Sequence, residues 1–296
     1  MFNSSIKNKR KTGFIVAFFI AFITLLTYFV CYVFGYSYVA VPIAFGVAAF
    51  ASIGSYYNSD KIVLSLNGAR PATREQNQRM VENLEGLCIA AGVPMPKLYI
   101  IEDSAPNAFA TGRNPEHSVI CVTTGLLEKL NDYELEGVLA HELSHIKNYD
   151  ILLQTIVSVL VGFVSVLADF FTRISFRRSS RDNDNNSSNA IIMIIGLIFI
   201  ILSPIAASLI QLALSRNREY LADSSAVELT RNPQGLIDAL RKISGDSEPL
   251  ESANRSTASL YICNPFKGEE AKKFLNKLFS THPPIDERIE ALKHIN

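Results

Sequence analysis

The chain has 296 residues and a formal net charge of zero, because 28 basic side chains balance 28 acidic ones. A neutral balance gives no broad attraction to a polyanion, so nucleic acid is not an expected partner. The mean hydropathy is positive. Uncharged stretches near the length of a membrane-spanning helix exclude a soluble domain as the description of the whole chain.

The first uncharged stretch is long enough for two membrane spans. No charged side chain occurs between Gly13 and Ser59, and a break at residues 35–37 divides the stretch into two runs. Each run is near the roughly twenty residues that a spanning helix needs. We therefore predict a basic cytoplasmic tail over residues 1–12 and a transmembrane hairpin over residues 13–59.

Two later stretches predict a third span within residues 151–170 and a fourth over residues 190–215. The third is short and contains Gln154 near its start, so a buried core helix is the alternative there. Residues 171–189 between them are polar and of low complexity, which predicts a disordered loop. These runs predict a mostly α membrane protein with four transmembrane helices in the lipid bilayer.

The basic residues of the N-terminal tail predict its orientation. They are Lys7, Lys9, Arg10 and Lys11. Because the turn after the first span has no basic residue, the positive-inside rule places the N-terminus in the cytoplasm. The arginines of the loop at 171–189 then face outside, against the rule, but the N-terminal signal usually dominates. We predict a multi-pass protein of the inner or plasma membrane whose soluble part faces the cytoplasm.

Four cysteines are spread along the chain and form no CxxC pair. They are Cys31, Cys88, Cys121 and Cys263. This spacing is typical of reduced packing residues in a cytoplasmic environment and not of a cysteine-bound metal.

Residues 60–150 form the first part of the predicted cytoplasmic domain. The pattern predicts an amphipathic helix over residues 73–91 that ends at Gly92. Three short β-like runs follow, separated by Pro, Asn and Gly turns, at residues 97–102, 108–111 and 118–123. We predict an α+β domain with a small antiparallel sheet.

The second of these runs is the candidate edge of the sheet. An exposed edge can bind an extended polypeptide as an added strand. Residues 107–112 are the candidate edge, with Asn107, Ala108 and Phe109 as the residues that such a polypeptide would meet. An ordinary turn and strand explains the same pattern equally well.

The most specific signal of the chain is His141-Glu-Leu-Ser-His145, which matches H-E-x-x-H. Residues four apart lie on one helix face, so both imidazoles can bind one zinc ion. Glu142 lies about 100° around the helix, beside the metal. Zinc makes water acidic enough for such a carboxylate to accept its proton near neutral pH. The alternative is an amphipathic helix with two incidental histidines. Capping signals at Asn131 or Asp132 and a regular apolar stripe favour the metal site.

A zinc site with one open position needs a third protein ligand. Glu219 and Asp223 are four residues apart on a predicted helix within residues 216–296, the second part of the domain. One carboxylate could bind the metal while the other orients an imidazole. A solvated acidic face paired with Arg216 or Arg218 is the alternative. Two spans between the motif and Glu219 would return the chain to the same side of the membrane.

The C-terminal segment contains two further candidates. His282 lies in a Thr-His-Pro-Pro sequence that begins a helix, and Arg288 follows on that helix. Either could donate hydrogen bonds to the oxyanion of peptide hydrolysis. A surface histidine and an ordinary helix charge are the alternatives.

Taken in order, these features resemble HtpX, a family of bacterial membrane zinc endopeptidases related to the CAAX prenyl proteases. The resemblance implies a zincin-like domain with one zinc ion per subunit and a cytoplasmic active site. It also implies cleavage of unfolded, misfolded or damaged membrane proteins under heat or envelope stress, alongside other membrane quality-control proteases. It assigns zinc binding to His141, His145 and Glu219, the catalytic base to Glu142, ligand support to Asp223, and substrate contact to Asn107, His282 and Arg288.

Two other functions remain compatible with the sequence. One is a CAAX-type or other processing membrane metallopeptidase. The other is a non-proteolytic membrane chaperone with a structural metal, which Glu142 disfavours because a structural site needs no unligated carboxylate.

Overall fold

The computed structural model describes residues 2–34, 37–75, 77–162, 215–254, 256–266 and 283–295. The predicted fourth span, the predicted disordered loop and His282 lie outside these ranges, as does the end of the predicted third span.

Two long helices begin the chain. Helix α1, Phe2–Phe34, joins the basic tail and the first apolar run without a break. Helix α2, Ala40–Leu66, packs against it and, within the described ranges, is the one helix that meets the length and composition of a membrane span. Large apolar side chains of both helices are exposed, among them Phe14 at 68% and Phe50 at 80%.

The strands form one four-stranded sheet in the order β1-β2-β4-β3. Their bounds are Arg70–Pro71 for β1, Lys97–Ile101 for β2, Ala108–Gly112 for β3 and Ser118–Thr123 for β4. Strands β1 and β2 are antiparallel, as are β3 and β4, but β2 and β4 are parallel. The prediction of an antiparallel sheet is therefore wrong for the central pair. Because β3 runs opposite to β2 and the next turn reverses the chain again, β4 runs in the direction of β2.

Seven further α-helices follow in the described part of the chain. They are α3, Gln78–Ala91; α4, Thr124–Lys129; α5, Asp132–Lys147; α6, Asp150–Gly162; α7, Arg216–Thr230; α8, Pro233–Gly245; and α9, Ile285–Lys293. The motif lies on α5, which packs against α3, α7, α8 and β3. Neighbours on several sides bury almost every residue of α5 from Gly137 to Ile146, more than the single buried stripe that the sequence predicts.

Local sequence determines where α5 begins. The Asn131 side chain accepts a hydrogen bond from the Glu134 N–H, and the Glu134 carboxylate accepts one from the Asn131 N–H. This capping box satisfies two donors that the first turn would leave unpaired. The predicted start at Asn131 or Asp132 is confirmed.

Gly137 allows the backbones of α5 and α8 to approach closely. A Cβ on Gly137 would lie 2.8 Å from the Leu236 nitrogen and 2.9 Å from its Cα. Both atoms belong to the backbone and cannot move aside cheaply. The absence of a side chain at Gly137 therefore sets the distance between α8 and the helix that carries the motif.

All four cysteines are buried and free, as the spacing predicts. Helix α6 follows α5 after a short connector in which Tyr149 has a φ of 59°. Its apolar side chains, including Leu153 and Ile156, pack against Ile15 and Phe19 of α1.

Candidate active site

The two histidines of the motif lie together on the buried face of α5. Their Nε2 atoms are 3.2 Å apart, and their rings meet edge to face. His141 is fully buried and His145 is nearly so. The two imidazoles therefore point at one shared position.

Helix α7 brings Glu219 to the same point. One Glu219 carboxylate oxygen lies 3.7 Å from His141 Nε2, and the other lies 3.7 Å from His145 Nε2. Zinc holds imidazole nitrogen at about 2.0–2.1 Å, so a tetrahedral site places neighbouring donors about 3.3 Å apart. One candidate ligand atom from each of the three residues lies within 4.8 Å of the others. The donor set therefore has the spacing and chemistry of a metal site.

Each imidazole has a carboxylate at its other nitrogen. His141 Nδ1 is 2.9 Å from Asp223 Oδ1, and His145 Nδ1 is 3.1 Å from Asp150 Oδ2. Because a carboxylate only accepts, these contacts place a proton on each Nδ1 and direct each Nε2 at the shared point. The two Nε2 atoms, 3.2 Å apart, can hold one cation between them, either a proton or a metal ion.

The charges around the site favour a cation as well. Burial lowers the pKa of His141 to about 4, so this imidazole is neutral near neutral pH. Burial would also lower the pKa of His145, but Asp150, Glu219 and Glu142 outweigh it and raise that pKa to about 9. The same negative groups that stabilise a proton on His145 would stabilise a metal cation in its place.

Glu142 lies beside this cluster and is 2% exposed. Burial raises the pKa of its carboxyl group to about 7, and Glu219 adds to the rise. His145, Arg288 and a hydrogen bond with the Ala110 backbone oppose it. A pKa near the working pH suits a group that must both accept and return a proton.

Arg288 lies behind Asp223 and is completely buried. Its Nε and Nη2 donate to the two Asp223 oxygens at 2.9 and 2.6 Å, and its Nη1 donates to the Ile262 carbonyl at 3.0 Å. Burial would raise the pKa of Asp223, but Arg288 and His141 outweigh it and hold that pKa at about 2. Arg288 therefore fixes the Asp223 carboxylate, which in turn fixes the orientation of the His141 ring.

Strand β3 forms the sheet edge beside the cluster. The Thr123 N–H donates to the Asn107 carbonyl at 3.0 Å, so by antiparallel alternation the backbone groups of Ala108 and Ala110 face away from β4. The Ala108 carbonyl accepts a hydrogen bond from the Ile262 N–H at 2.9 Å, and Ala110 bonds with Glu142. The Glu142 carboxylate therefore lies beside the outward edge of β3.

The other two edge candidates have structural contacts. The Asn107 side-chain amide donates to the Cys263 carbonyl at 3.1 Å. Phe109 is fully buried and packs edge to face on Tyr261, with ring centroids 5.0 Å apart. Both residues hold the 256–264 segment against β3.

Asp150 is a residue of the site that the sequence alone did not single out. It is 1% exposed and contacts His145 as Asp223 contacts His141. The available signal was an acidic residue five positions after His145, at the very start of an apolar run. A charge at that place needs a buried partner.

The chain is similar to known peptidases. The model of peptidase family M48 matches residues 73–296. A protease HtpX homolog of Dictyoglomus turgidum is 49% identical over 290 residues, which are 97% of this chain and 92% of that protein. Homologs of the same name from Lactobacillus acidophilus and Listeria monocytogenes are 47% and 46% identical; the first match covers 98% of both chains and the second 100%.

A solved structure shares the fold. The crystal structure of S. mikatae Ste24p superposes with a TM-score of 0.50 at 20% sequence identity, covering 99% of this chain and 67% of that one. At this identity the likeness concerns the arrangement of elements alone.

Proposed function

This chain belongs to peptidase family M48, and from that premise we propose that His141, His145 and Glu219 bind one zinc ion for peptide-bond hydrolysis. The chain is a membrane metalloprotease, as its HtpX relatives indicate. The observation that carries the zinc assignment is the pair of Nε2 atoms that face each other 3.2 Å apart, with both Nδ1 atoms engaged by carboxylates.

Glu142 is the proposed general base and acid. Bound zinc would supply a Lewis acid that polarises the scissile carbonyl and acidifies a water molecule. Glu142 accepts the proton of the attacking water and returns it to the leaving amine. Its burial and its pKa of about 7 support both transfers.

Asp223 and Arg288 are proposed to orient His141. Asp223 holds the Nδ1 proton of His141, and Arg288 fixes both carboxylate oxygens of Asp223. The sequence predicts Arg288 as an oxyanion donor, but its shortest hydrogen bonds go to Asp223 and the Ile262 carbonyl. Its Nη2 also lies 3.4 Å from His141 Nδ1, and its Nη1 lies 4.0 Å from Glu219 Oε2, so we assign it this positioning role instead. His282 remains the predicted donor to the oxyanion.

The outward edge of β3 is the proposed binding site for the substrate backbone. An extended peptide would pair with the outward carbonyl of Ala110, which brings the scissile carbonyl of the peptide close to Glu142. At Ala108 the carbonyl already accepts a hydrogen bond from the Ile262 N–H, so a peptide that extends that far must displace this segment. Asn107 and Phe109 would support the edge from behind.

We propose four spans, with the metal site on the cytoplasmic side. The length of α2 and the exposed apolar side chains of α1 and α2 support contact with lipid, and the basic residues before the first span support the orientation.

Because the native cysteines are buried, introduced cysteines can report the topology. In intact cells, a membrane-impermeant thiol reagent is expected to label Ser180→Cys in the outside loop at once. It should label Glu116→Cys, an exposed position of the soluble domain, only after the membrane is permeabilised. Labelling of Glu116→Cys in intact cells would reverse the proposed orientation.

We propose that the substrates are unfolded or damaged membrane proteins, cleaved in quality control under heat or envelope stress. The support is an edge site that binds backbone groups, which every extended chain offers whatever its side chains. A CAAX-type processing enzyme is the second candidate, favoured by the shared fold with Ste24p.

One assay separates the two substrate classes. Purified full-length protein with zinc is expected to cleave an unfolded test protein at several internal bonds and to give no preferred cleavage of a prenylated C-terminal peptide. A chelator should stop the cleavage, which excludes a contaminating metal-independent protease. Selective cleavage of the prenylated peptide, with the unfolded protein left intact, would support the processing enzyme instead.

A further inference from the structure

We propose that Asn8, in the N-terminal turns of α1, is a positioning residue for the metal site. Its side-chain amide fixes the Asp150 carboxylate, which in turn orients His145. The inference rests on the proposed function, because it assumes that His145 is a metal ligand. It gives the basic tail a role beyond the orientation of the first span.

Asn8 differs from its neighbours in burial. It is 4% exposed, whereas Lys7, Lys9 and Arg10 are exposed. Its Nδ2 donates to Asp150 Oδ1 at 2.7 Å and to the Asn148 carbonyl at 3.1 Å. Both amide hydrogens are therefore used on the connector that joins α5 to α6, 140 residues away in sequence.

Asp150 has its two oxygens committed in different directions. Oδ1 accepts from Asn8, and Oδ2 faces His145 Nδ1 at 3.1 Å. The carboxylate group is planar, so a bond that fixes one oxygen also fixes where the other points. Arg218 Nη1 lies 3.8 Å from Oδ1, too far for a hydrogen bond. Without Asn8, the carboxylate can turn toward Arg218 and leave the imidazole.

The backbone conformation of the connector is unfavourable by itself and is stabilised by contacts with α1. Tyr149, between the two residues that Asn8 contacts, has a φ of 59°, which an L residue with a large side chain rarely adopts. The Lys9 ammonium lies 4.0 Å from the centre of the Tyr149 ring. Consecutive residues of α1 thus bind all three connector residues from outside.

A neutral amide suits this position better than a cation. It orients Asp150 without neutralising the negative charge, which remains available to the Nδ1–H of His145. A consequence follows for the whole molecule: the first membrane helix must be docked on the connector before His145 is correctly held.

The test is zinc affinity of the full-length protein, measured by competition with a chromogenic chelator. Loss of an outer partner of a metal ligand typically weakens metal binding about 10–100-fold. We expect Asp150→Ala to lie in that range and Asn8→Leu, of similar size but without the donor, to weaken zinc binding by about ten-fold. Asn58→Leu makes the same change at an exposed asparagine of α2 and should leave the affinity unchanged.

The double variant separates positioning from general destabilisation. If Asn8 acts through Asp150, adding Asn8→Leu to Asp150→Ala weakens zinc binding by less than two-fold further. Multiplication of the two single effects, or an affinity of Asn8→Leu equal to wild type, would overturn the proposal. If Asn8→Leu does not fold, Asn8→Ala removes the donor without added bulk and carries the same expectation.

Wild-type protein in the same experiment shows whether a failure concerns the role of Asn8 alone or the proposed zinc site as well. Wild type that binds zinc and cleaves, with unaltered Asn8 variants, contradicts only the role of Asn8. Wild type that binds no zinc contradicts the proposed function together with this inference.

Discussion

Replacing Glu142 with glutamine is expected to lower the rate of peptide cleavage about a hundred- to ten-thousand-fold while zinc remains bound, since general acid–base catalysis contributes that much. Glutamine is nearly isosteric and can still accept the hydrogen bond from the Ala110 N–H. It cannot accept a proton from the attacking water. The measurements are the initial rate on an unfolded protein and the zinc content of each sample.

A control for this variant lies on the same helix. Glu136→Gln makes the same change at a partly exposed position outside the site and should keep wild-type activity. Undiminished cleavage by Glu142→Gln would remove Glu142 from the mechanism. Equal function of that variant in stressed cells would favour the chaperone alternative.

Replacing His145 with alanine is expected to abolish both zinc binding and cleavage. The change removes a direct donor, so the loss of affinity should exceed the about 10–100-fold that loss of an outer partner costs. It also leaves the buried Asp150 Oδ2 without its imidazole, which should cost about 1–3 kcal/mol of folding stability. Chelator competition and thermal unfolding measure the two effects.

His117→Ala is the matched control for the second variant. His117 is exposed and bonds to Asn114 in the turn before β4. Its removal should change neither zinc affinity nor cleavage. If His145→Ala retained one tightly bound zinc per chain, the ligand set would have to be reassigned.

Short-range regularities explain what could be predicted. The i and i+4 spacing of His141 and His145 fixes their relative position as soon as the helix forms, and the helix start follows from the Asn131 cap. The same spacing made Glu219 and Asp223 equal candidates for the third ligand. Only the packing of α7 on α5 distinguishes them, because it places Glu219 at the Nε2 atoms and Asp223 at Nδ1.

Strand order could not be predicted in the same way. Short β-like runs between turn residues predicted three of the four strands, but such runs suit parallel and antiparallel partners alike. Insertion of β4 between β2 and β3 depends on where β3 meets α5, which is a tertiary contact. β1 was missed because two residues, one of them Pro71, carry no pattern.

The supporting residues of the site were the least visible in the sequence. Asp150 reads as a charge at the start of an apolar run, and Asn8 lies within a basic stretch that membrane orientation already explains. Their contact joins segments 142 residues apart, and no local pattern encodes it. Burial of a polar group becomes informative only when the fold supplies its partner.

The most direct test of the account is a zinc titration of cleavage by metal-free full-length protein. The three-ligand site predicts that activity rises in proportion to added zinc and reaches its plateau at one zinc per chain. Cleavage before zinc is added, or a plateau well away from one equivalent, would contradict a single catalytic zinc held by His141, His145 and Glu219.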